Sequence, residues 1–489
     1  MVRAELARVL GTEIPPGVEE VTGVSHDSRL VEPGFAFVAI PGFKRDGATF
    51  APEALRRGAS LIVAECEVPE APTAVVPDAR YSLAALSRAI CGDPSKNMEV
   101  YGVTGTNGKT TTAYALYSIL ASAYGAKTCG LMTTAEMFSA GERHSAVRTT
   151  PEATELQKTL TGMLEEGVRR VVMEVSSHGI ALRRVAGTHF AGALFTNLTR
   201  DHLDLHGSME EYYAAKRELF YLTEGPKLAN AEDAWGRLLL EEVAGVRTFG
   251  GTADADYRVA EVEATRSGTA FELHHSDGVL GLETSLLGLY NVLNVAGAAS
   301  LALEAGVDGG AVAEAVRGMG QVPGRFERVA TASESGFEVI VDYAHTDVGL
   351  EAVLEVARGL ARADGRRAGR VICVFGAAGE RDAAKRPLMG QVAARLADLS
   401  IVTTDDAYSE EPAKIAREVV SGVANGRAAV LLDRREAIRR ALLAAREGDV
   451  VVVAGKGHER VQHLPEGDVP FHDATVVGEL LEELGKKER

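Results

Sequence analysis

The sequence predicts an α/β protein of three domains, and three observations carry that prediction. At 489 residues the chain is long enough for about three separate hydrophobic cores. Val/Ile-rich runs without strict alternation, as in strands covered on both faces, alternate with helix-like segments. The stretch YGVTGTNGKTTT, 101–112, lies between an apolar run and a helix-like one, the layout of a phosphate-binding loop.

Residues 1–96 are expected to form a small α/β domain. MVRAELARVL reads as a short amphipathic helix and lacks the long apolar core of a signal peptide. Phe35–Ile40, Ser60–Ala64 and Thr73–Val76 are strand candidates, and CGDPSKN, 91–97, is turn-rich enough to be a linker. The second domain, 97–327, opens with the phosphate loop. Gly105 and Gly108 let the backbone approach an anion, toward which the N–H groups of a helix start point. Lys109 supplies a positive charge for the outer phosphates and Thr110 a hydroxyl for Mg2+; Val103 stands where the usual pattern has another glycine. Nucleotide binding follows, with Gly105, Thr106, Asn107, Gly108, Lys109, Thr110 and Thr111 as its loop. Strands are expected at Val171–Val175 and Ala191–Thr196, each ending in polar residues, where parallel sheets carry their chemistry. In the third domain, 328–489, runs at Glu338–Tyr343, Val371–Phe375, Leu399–Thr403, Ala429–Leu432 and Val450–Ala454 predict a doubly wound, Rossmann-like sheet.

Bulk properties remove several function classes. A formal charge of −17 argues against a nucleic-acid partner, whose phosphates need a basic face. The four cysteines are scattered without a CxxC pair, so neither disulfides nor a zinc site is expected. No run approaches the roughly 18 apolar residues of a membrane span. A cytoplasmic monomer acting on small molecules is the expectation.

Further polar clusters follow the loop. In MEVSSHG, 173–179, Glu174 lies in an apolar strand and needs either a metal or backbone donors. In TNLTRDHLDLHGSMEEYYAAKRELF, 196–220, His202 reads as a metal ligand or a core histidine, and Lys216 on spacing alone as a surface lysine. YNVLN (290–294), PGRFE (323–327), VDYAH (341–345), GAAGERDAAKRP (376–387) and AGKGHE (454–459) are each weak signals singly.

Taken in order, these motifs resemble the Mur ligase family, most of all its branch of UDP-N-acetylmuramoyl-tripeptide synthetases. DSRLVEPGFAFVAIPG from Asp27 is similar to the nucleotide-sugar domain of that branch. The resemblance implies domains for a UDP-sugar, for ATP and for an incoming amino acid. It implies ADP-forming amide synthesis on UDP-MurNAc-L-Ala-D-Glu through an acyl phosphate, with a diamino acid as nucleophile. By motif match, Lys109 would stabilise the transferring phosphoryl group, and Thr110, Glu174 and His202 would hold Mg2+. Lys216 would carry a CO2-derived carbamate that helps position metal, so Lys109, His202 and Lys216 form the catalytic set. Asn294, Arg325 and Asp342 would complete the ATP site. Ser28, Thr149, Thr150, Ser176 and Arg184 would hold the UDP-MurNAc-dipeptide, and Arg381, Asp406, Gly455 and Glu459 the amino acid.

The departures are informative. Branch members specific for meso-diaminopimelate carry Asp-Asn-Pro-Arg, whose arginine pairs with the distal carboxylate. Here the stretch is TTDDAYSEEP, 403–412, with Asp406 followed by Ala407, Tyr408 and Ser409. Loss of a bidentate arginine, beside Asp406, Glu410 and Glu411, favours L-lysine or ornithine over meso-diaminopimelate. Leu182 and HTDVG, 345–349, depart in smaller ways. The rival readings are a folylpolyglutamate or cyanophycin-type synthetase, which has no need of the DSRLVEPGFAF domain, and a non-catalytic P-loop homologue.

Overall fold

The computed structural model describes residues 1–42, 45–145, 148–329, 336–362, 369–423 and 428–487. Four parallel strands, Gly23–Ser25, Phe35–Val38, Leu61–Ala64 and Thr73–Val75, form the N-terminal sheet in chain order. Helix Ala79–Ile90 covers it, capped by the Asp78 carboxylate, which accepts the Tyr81 N–H, and buries Leu83 and Leu86 against the sheet.

The second sheet has eleven strands. Its middle is parallel: Cys129–Met132, Arg170–Glu174, Glu99–Thr104, Gly192–Phe195, Lys227–Asn230 and Val246–Gly250 lie side by side in that order. After Glu99–Thr104 the chain first builds to one side, then from Gly192 to the other. The C-terminal end of that strand is therefore a topological switch point, where such sheets open a crevice. Helices Lys109–Tyr124 and Leu289–Glu304 pack on one face around Ile119, Leu120, Val295 and Leu301. Helices Ala153–Glu165 and Met209–Tyr221 cover the other face with Leu156, Leu160, Leu219 and Phe220.

No strand is legible from the sequence between Thr196 and residue 328, yet the sheet runs on there through Lys227–Asn230 and Val246–Gly250. It ends in an antiparallel meander, Tyr257–Ala264, Thr269–His275 and Gly278–Thr284. Those three strands bury Tyr257, Val259, Phe271, Leu273 and Leu282 on one face and leave polar neighbours outside. Such half-buried alternation lacks the apolar runs that mark strands covered on both faces.

The third sheet orders Glu327–Arg328, Glu338–Asp342, Val450–Ala454, Val371–Phe375, Leu399–Val402 and Ala428–Val430, parallel after the first pair. Its inner strands are buried on both faces, as their Val/Ile texture predicts, while the edge strand Ala428–Val430 is largely exposed. No described helix is long and apolar enough to cross a membrane.

Candidate active site

The C-terminal ends of parallel strands from the second and third sheets line one cavity of about 800 Å3. On the first wall, strand Glu99–Thr104 runs into the phosphate loop, and Lys109 opens the following helix. Gly108, the cap of that helix, has φ +83°, and a Cβ there would lie 2.2 Å from Asn294 Oδ1. Glycine lets the loop press against helix Leu289–Glu304. The Lys109 ammonium folds back on the loop, donating to the Gly105 and Thr106 carbonyls at 3.0 and 2.9 Å. Burial and the nearby Arg325 lower its pKa against the pull of Glu174 and Asp201.

Glu174, at the end of the adjacent strand, is 1% exposed and lines the cavity. Its carboxylate accepts the Thr134 N–H at 3.0 Å and the Thr134 hydroxyl at 3.2 Å. His202 also lines the cavity, in the left-handed region at φ +53° and edge-on to His178, 4.7 Å between ring centres. Burial, His178 and the cations of Lys109 and Lys216 push its imidazole down to about 3, against Asp201. It is therefore neutral near pH 7, the form a metal ligand needs. Burial alone would raise Asp201, but a hydrogen bond from His345 and the nearby His202 and Lys385 hold its carboxyl well below the usual range.

Lys216 is not the surface lysine that spacing suggests. Its side chain is 1% exposed, and its amine lies beneath the loop, donating to the Gly105 carbonyl at 2.7 Å and facing the Tyr212 ring at 4.7 Å. Burial and the Lys109 charge hold its pKa well below the ordinary lysine value. Neither Lys216 nor Gly105 reaches the cavity lining itself.

The dipeptide-site residues of the sequence reading divide. Thr149, Thr150, Ser176 and Arg184 line the cavity. Thr150 donates to the Glu174 carbonyl at 3.0 Å, and Arg184 donates to the Thr150 carbonyl at 3.1 Å. Ser28 stands apart in the N-terminal domain, outside that lining, where its hydroxyl donates to Glu53 at 2.7 Å.

The second wall comes from the third sheet and its lead-in. Arg325 reaches across to donate to the Thr110 hydroxyl at 2.9 Å, its guanidinium 4.3 Å from the Tyr343 ring centre. Asp342 accepts the Phe326 and Ala344 N–H groups, and burial raises its carboxyl against Arg325. Asn294 lines the cavity, its amide engaged with Thr112 and Asn291 at 3.3 Å each. Arg381, Asp406, Gly455 and Glu459 converge there as well.

The acidic residues after Thr404 do not stand free for a cationic side chain, contrary to the sequence expectation. Asp406 accepts from the Lys456 ammonium at 2.8 Å, and so does Glu459. Glu410 pairs with Arg386, and Glu411 lies 3.6 Å from Arg417. Lys456 is fully buried, and burial works against its cation, but Asp405, Glu459 and Asp406 hold the ammonium above its ordinary value. Among the described residues, Asp405, Asp406 and Glu459 are the one His/Cys/Asp/Glu trio close enough to share a metal ion. Lys456 already neutralises part of that charge. Asp201, Thr134, His178, His345 and Lys385, none of them a candidate from the sequence, also line the cavity. Most lie inside the sequence motifs, and only the third dimension gives them a role.

Three family descriptions match the chain: Mur ligase family, catalytic domain, over 20–93; Mur ligase middle domain over 103–302; and Mur ligase, glutamate ligase domain, over 324–457. A ligase from Syntrophomonas wolfei is 41% identical, covering 98% of this chain and 99% of its own. The chain belongs to the Mur ligase family. A second relative, from Solibacter usitatus, is 42% identical, covering 98% of this chain and 97% of its own. Both are named UDP-N-acetylmuramoyl-L-alanyl-D-glutamate–2,6-diaminopimelate ligase, not for lysine or ornithine. A solved structure of that name is similar at 31% identity with a TM-score of 0.68, covering 98% of this chain and 99% of that one. The MurF ligase of Thermotoga maritima, solved with ADP, shares the fold at 21% identity and TM-score 0.62, covering 96% and 99%. This Mur ligase is accordingly an ATP-binding, ADP-forming amide ligase of three α/β domains.

Proposed function

We propose that this Mur ligase adds 2,6-diaminopimelate to the D-Glu side-chain carboxyl of UDP-MurNAc-L-Ala-D-Glu, consuming ATP through an acyl phosphate. One observation carries the ligase geometry: the phosphate loop on one sheet and Arg381 with Glu459 on another line a single cavity. An acyl phosphate made at the first wall is then within reach of an amine held at the second. The names of relatives at about 40% identity favour diaminopimelate. A second reading, L-lysine or ornithine, is favoured by Tyr408, which stands in the loop where the distal-carboxylate arginine is expected and lines the cavity beside Arg381.

Lys109 stabilises the transferring phosphoryl group, and Arg325 supplies further positive charge at the same end. Thr149, Thr150, Ser176 and Arg184 hold the dipeptide end of the UDP-sugar substrate, and Ser28 belongs to its far, nucleotide end. Asn294 and Asp342 border the nucleotide, while Arg381 holds the α-carboxylate shared by all the candidate amino acids. Thr110, Glu174 and His202 fit Mg2+: two hard oxygen donors and a neutral imidazole face one cavity. A bound Mg2+ would offset the repulsion between the carboxylate and the ATP phosphates. Lys216 fits carbamylation, since burial lowers its pKa and so favours the neutral amine, the form that takes up CO2 with loss of one proton. The carbamate keeps one N–H, enough to preserve the bond to Gly105. Domains of 1–96, 97–327 and 328–489, a monomer and a cytoplasmic location complete the reading.

The test supplies purified protein with ATP, Mg2+, UDP-MurNAc-L-Ala-D-Glu and one diamino acid per reaction. Phosphate release with diaminopimelate is expected. Release with lysine alone selects the second reading, and release with none refutes both.

A further inference from the structure

Two loops carry the amino-acid wall, one at 376–384 with Arg381 and one at 405–411 with Asp406 and Tyr408. They are joined as a unit. Gly379 donates to the Asp406 carbonyl at 2.7 Å, and a Cβ on Gly379 would lie 2.1 Å from the Ala407 oxygen. The Ser409 hydroxyl and N–H both donate to the Glu380 carboxylate, at 2.5 and 3.2 Å. Each loop also holds one non-glycine residue in the left-handed region, Glu380 at φ +52° and Tyr408 at φ +51°. A free loop would relax away from that backbone.

The clamp lies just behind. Arg386, 1% exposed, spreads its guanidinium over both Glu410 oxygens, at 2.9 and 3.1 Å, and donates to the Ala378 carbonyl at 3.1 Å. The same Glu410 carboxylate accepts the Glu380 N–H at 2.6 Å, one residue before Arg381. The hydrogen bond from Arg386, then that N–H, hold Glu410 down to about 2, so it stays ionised at working pH. Arg386 also pairs with Glu418 at 2.5 Å, on helix Pro412–Val420 outside both loops. Both carboxylates offer the buried guanidinium a counter-charge, but Glu418 touches neither loop. Glu410 adds a rigid link between the two loops that present Arg381 and Tyr408.

We propose that Arg386 and Glu410 are positioning residues for the amino-acid substrate, a latch that fixes Arg381 and Tyr408 relative to one another. This rests on the reading of that wall as the amino-acid site. The test compares Glu410→Gln with Glu418→Gln in the full-length protein, measuring KM for each substrate and amide hydrogen exchange in the free protein. Glu410→Gln is expected to raise the amino-acid KM at least about tenfold, as misplacement of a substrate clamp by an ångström does, and to leave the ATP KM within about twofold. Exchange should quicken together at Gly379, Glu380 and Ser409. Glu418→Gln, which loses the same kind of ion pair, should lower thermal stability without moving the amino-acid KM. Equal KM effects in the two variants, or exchange quickened only at 409–411, would overturn the latch. If Glu410→Gln does not fold, Ser409→Ala removes one exposed link between the loops and should move the amino-acid KM in the same direction; no movement refutes the proposal. A wild-type protein that turns over no diamino acid refutes the proposed function instead, and amide exchange then decides the latch alone.

Discussion

Replacing Lys216 by methionine should abolish ligation while making the protein more stable at neutral pH. The amine is buried at 1% exposure, and burial with Lys109 beside it holds its pKa well below the 10.5 of a free lysine. Each unit of that depression costs about 1.4 kcal/mol of folding free energy at pH values below the folded pKa. Against this stands one lost hydrogen bond to the Gly105 carbonyl, worth ~1 kcal/mol net. That carbonyl is not orphaned, because Lys109 also donates to it. Methionine is close in length and flexible, so packing changes little. The sign with pH follows. Between the depressed pKa and 10.5 the unfolded chain binds the extra proton, so wild-type stability rises with pH at about 1.4 kcal/mol per unit. Lys216→Met lacks that slope, and its advantage should shrink as pH approaches 10.5. Calorimetry of both proteins in CO2-free buffer from pH 7 to 10, with phosphate release at pH 8, measures this. A variant less stable than wild type at pH 7, or a gap that widens with pH, would refute the burial argument. Retained turnover would refute the catalytic one.

Three further outcomes are expected. Gly108→Ala places a Cβ 2.2 Å from Asn294 Oδ1 on a φ of +83°, so ATP affinity measured by titration should fall at least about tenfold. Adding Asn294→Ala should not restore it fully, since the backbone strain remains. His458 is depressed to about 3 by burial, Arg325, His472 and Lys456, while the unfolded chain takes its proton near 6.5. Stability should therefore fall as pH drops below 6.5, by at most about 1.4 kcal/mol per unit, and His458→Gln should lose less than wild type in urea titrations at pH 5. Arg434 and Asp473 form a bidentate pair in which both side chains are fully buried. Asp473→Asn leaves a buried guanidinium without its counter-charge and should cost about 3–5 kcal/mol in urea unfolding.

The two walls meet through an apolar contact, Leu287 buried in one hydrophobic cluster with Leu350 and Val353, and through polar ones around the cavity. Arg325 reaches Thr110 at 2.9 Å, Arg200 reaches Asp382 at 3.2 Å, His345 lies 3.9 Å from Asp201, and His458 hydrogen-bonds the Thr134 backbone. These four are polar, and polar contacts exchange partners more readily than the buried Leu287 does. Three of the four involve groups at the phosphate loop, the metal-binding candidates or their immediate neighbours. A substrate bound in the cavity would therefore meet the same polar groups that join the two walls.

Which features were legible in the sequence follows from the range of the forces involved. The phosphate loop was readable because its requirements are local: Gly108 at positive φ, Lys109 at the helix start and an apolar strand before them. The third sheet was readable because strands buried on both faces must be apolar throughout. Lys216 was misread from spacing because a buried amine leaves no local trace; its acceptor, Gly105, lies 111 residues away. The same holds for Lys456 and Asp406, fifty residues apart, whose ion pair turns acidic residues expected to await a substrate into groups already engaged. The resemblance singled out Lys216, which the fold buries where spacing suggested a surface, and it carried an amino-acid preference from one missing arginine that the relatives' names do not share. A motif specifies the chemistry its own residues must do. The charge left over for a substrate depends on Lys456 and Arg386, which reach Asp406 and Glu410 only through the fold.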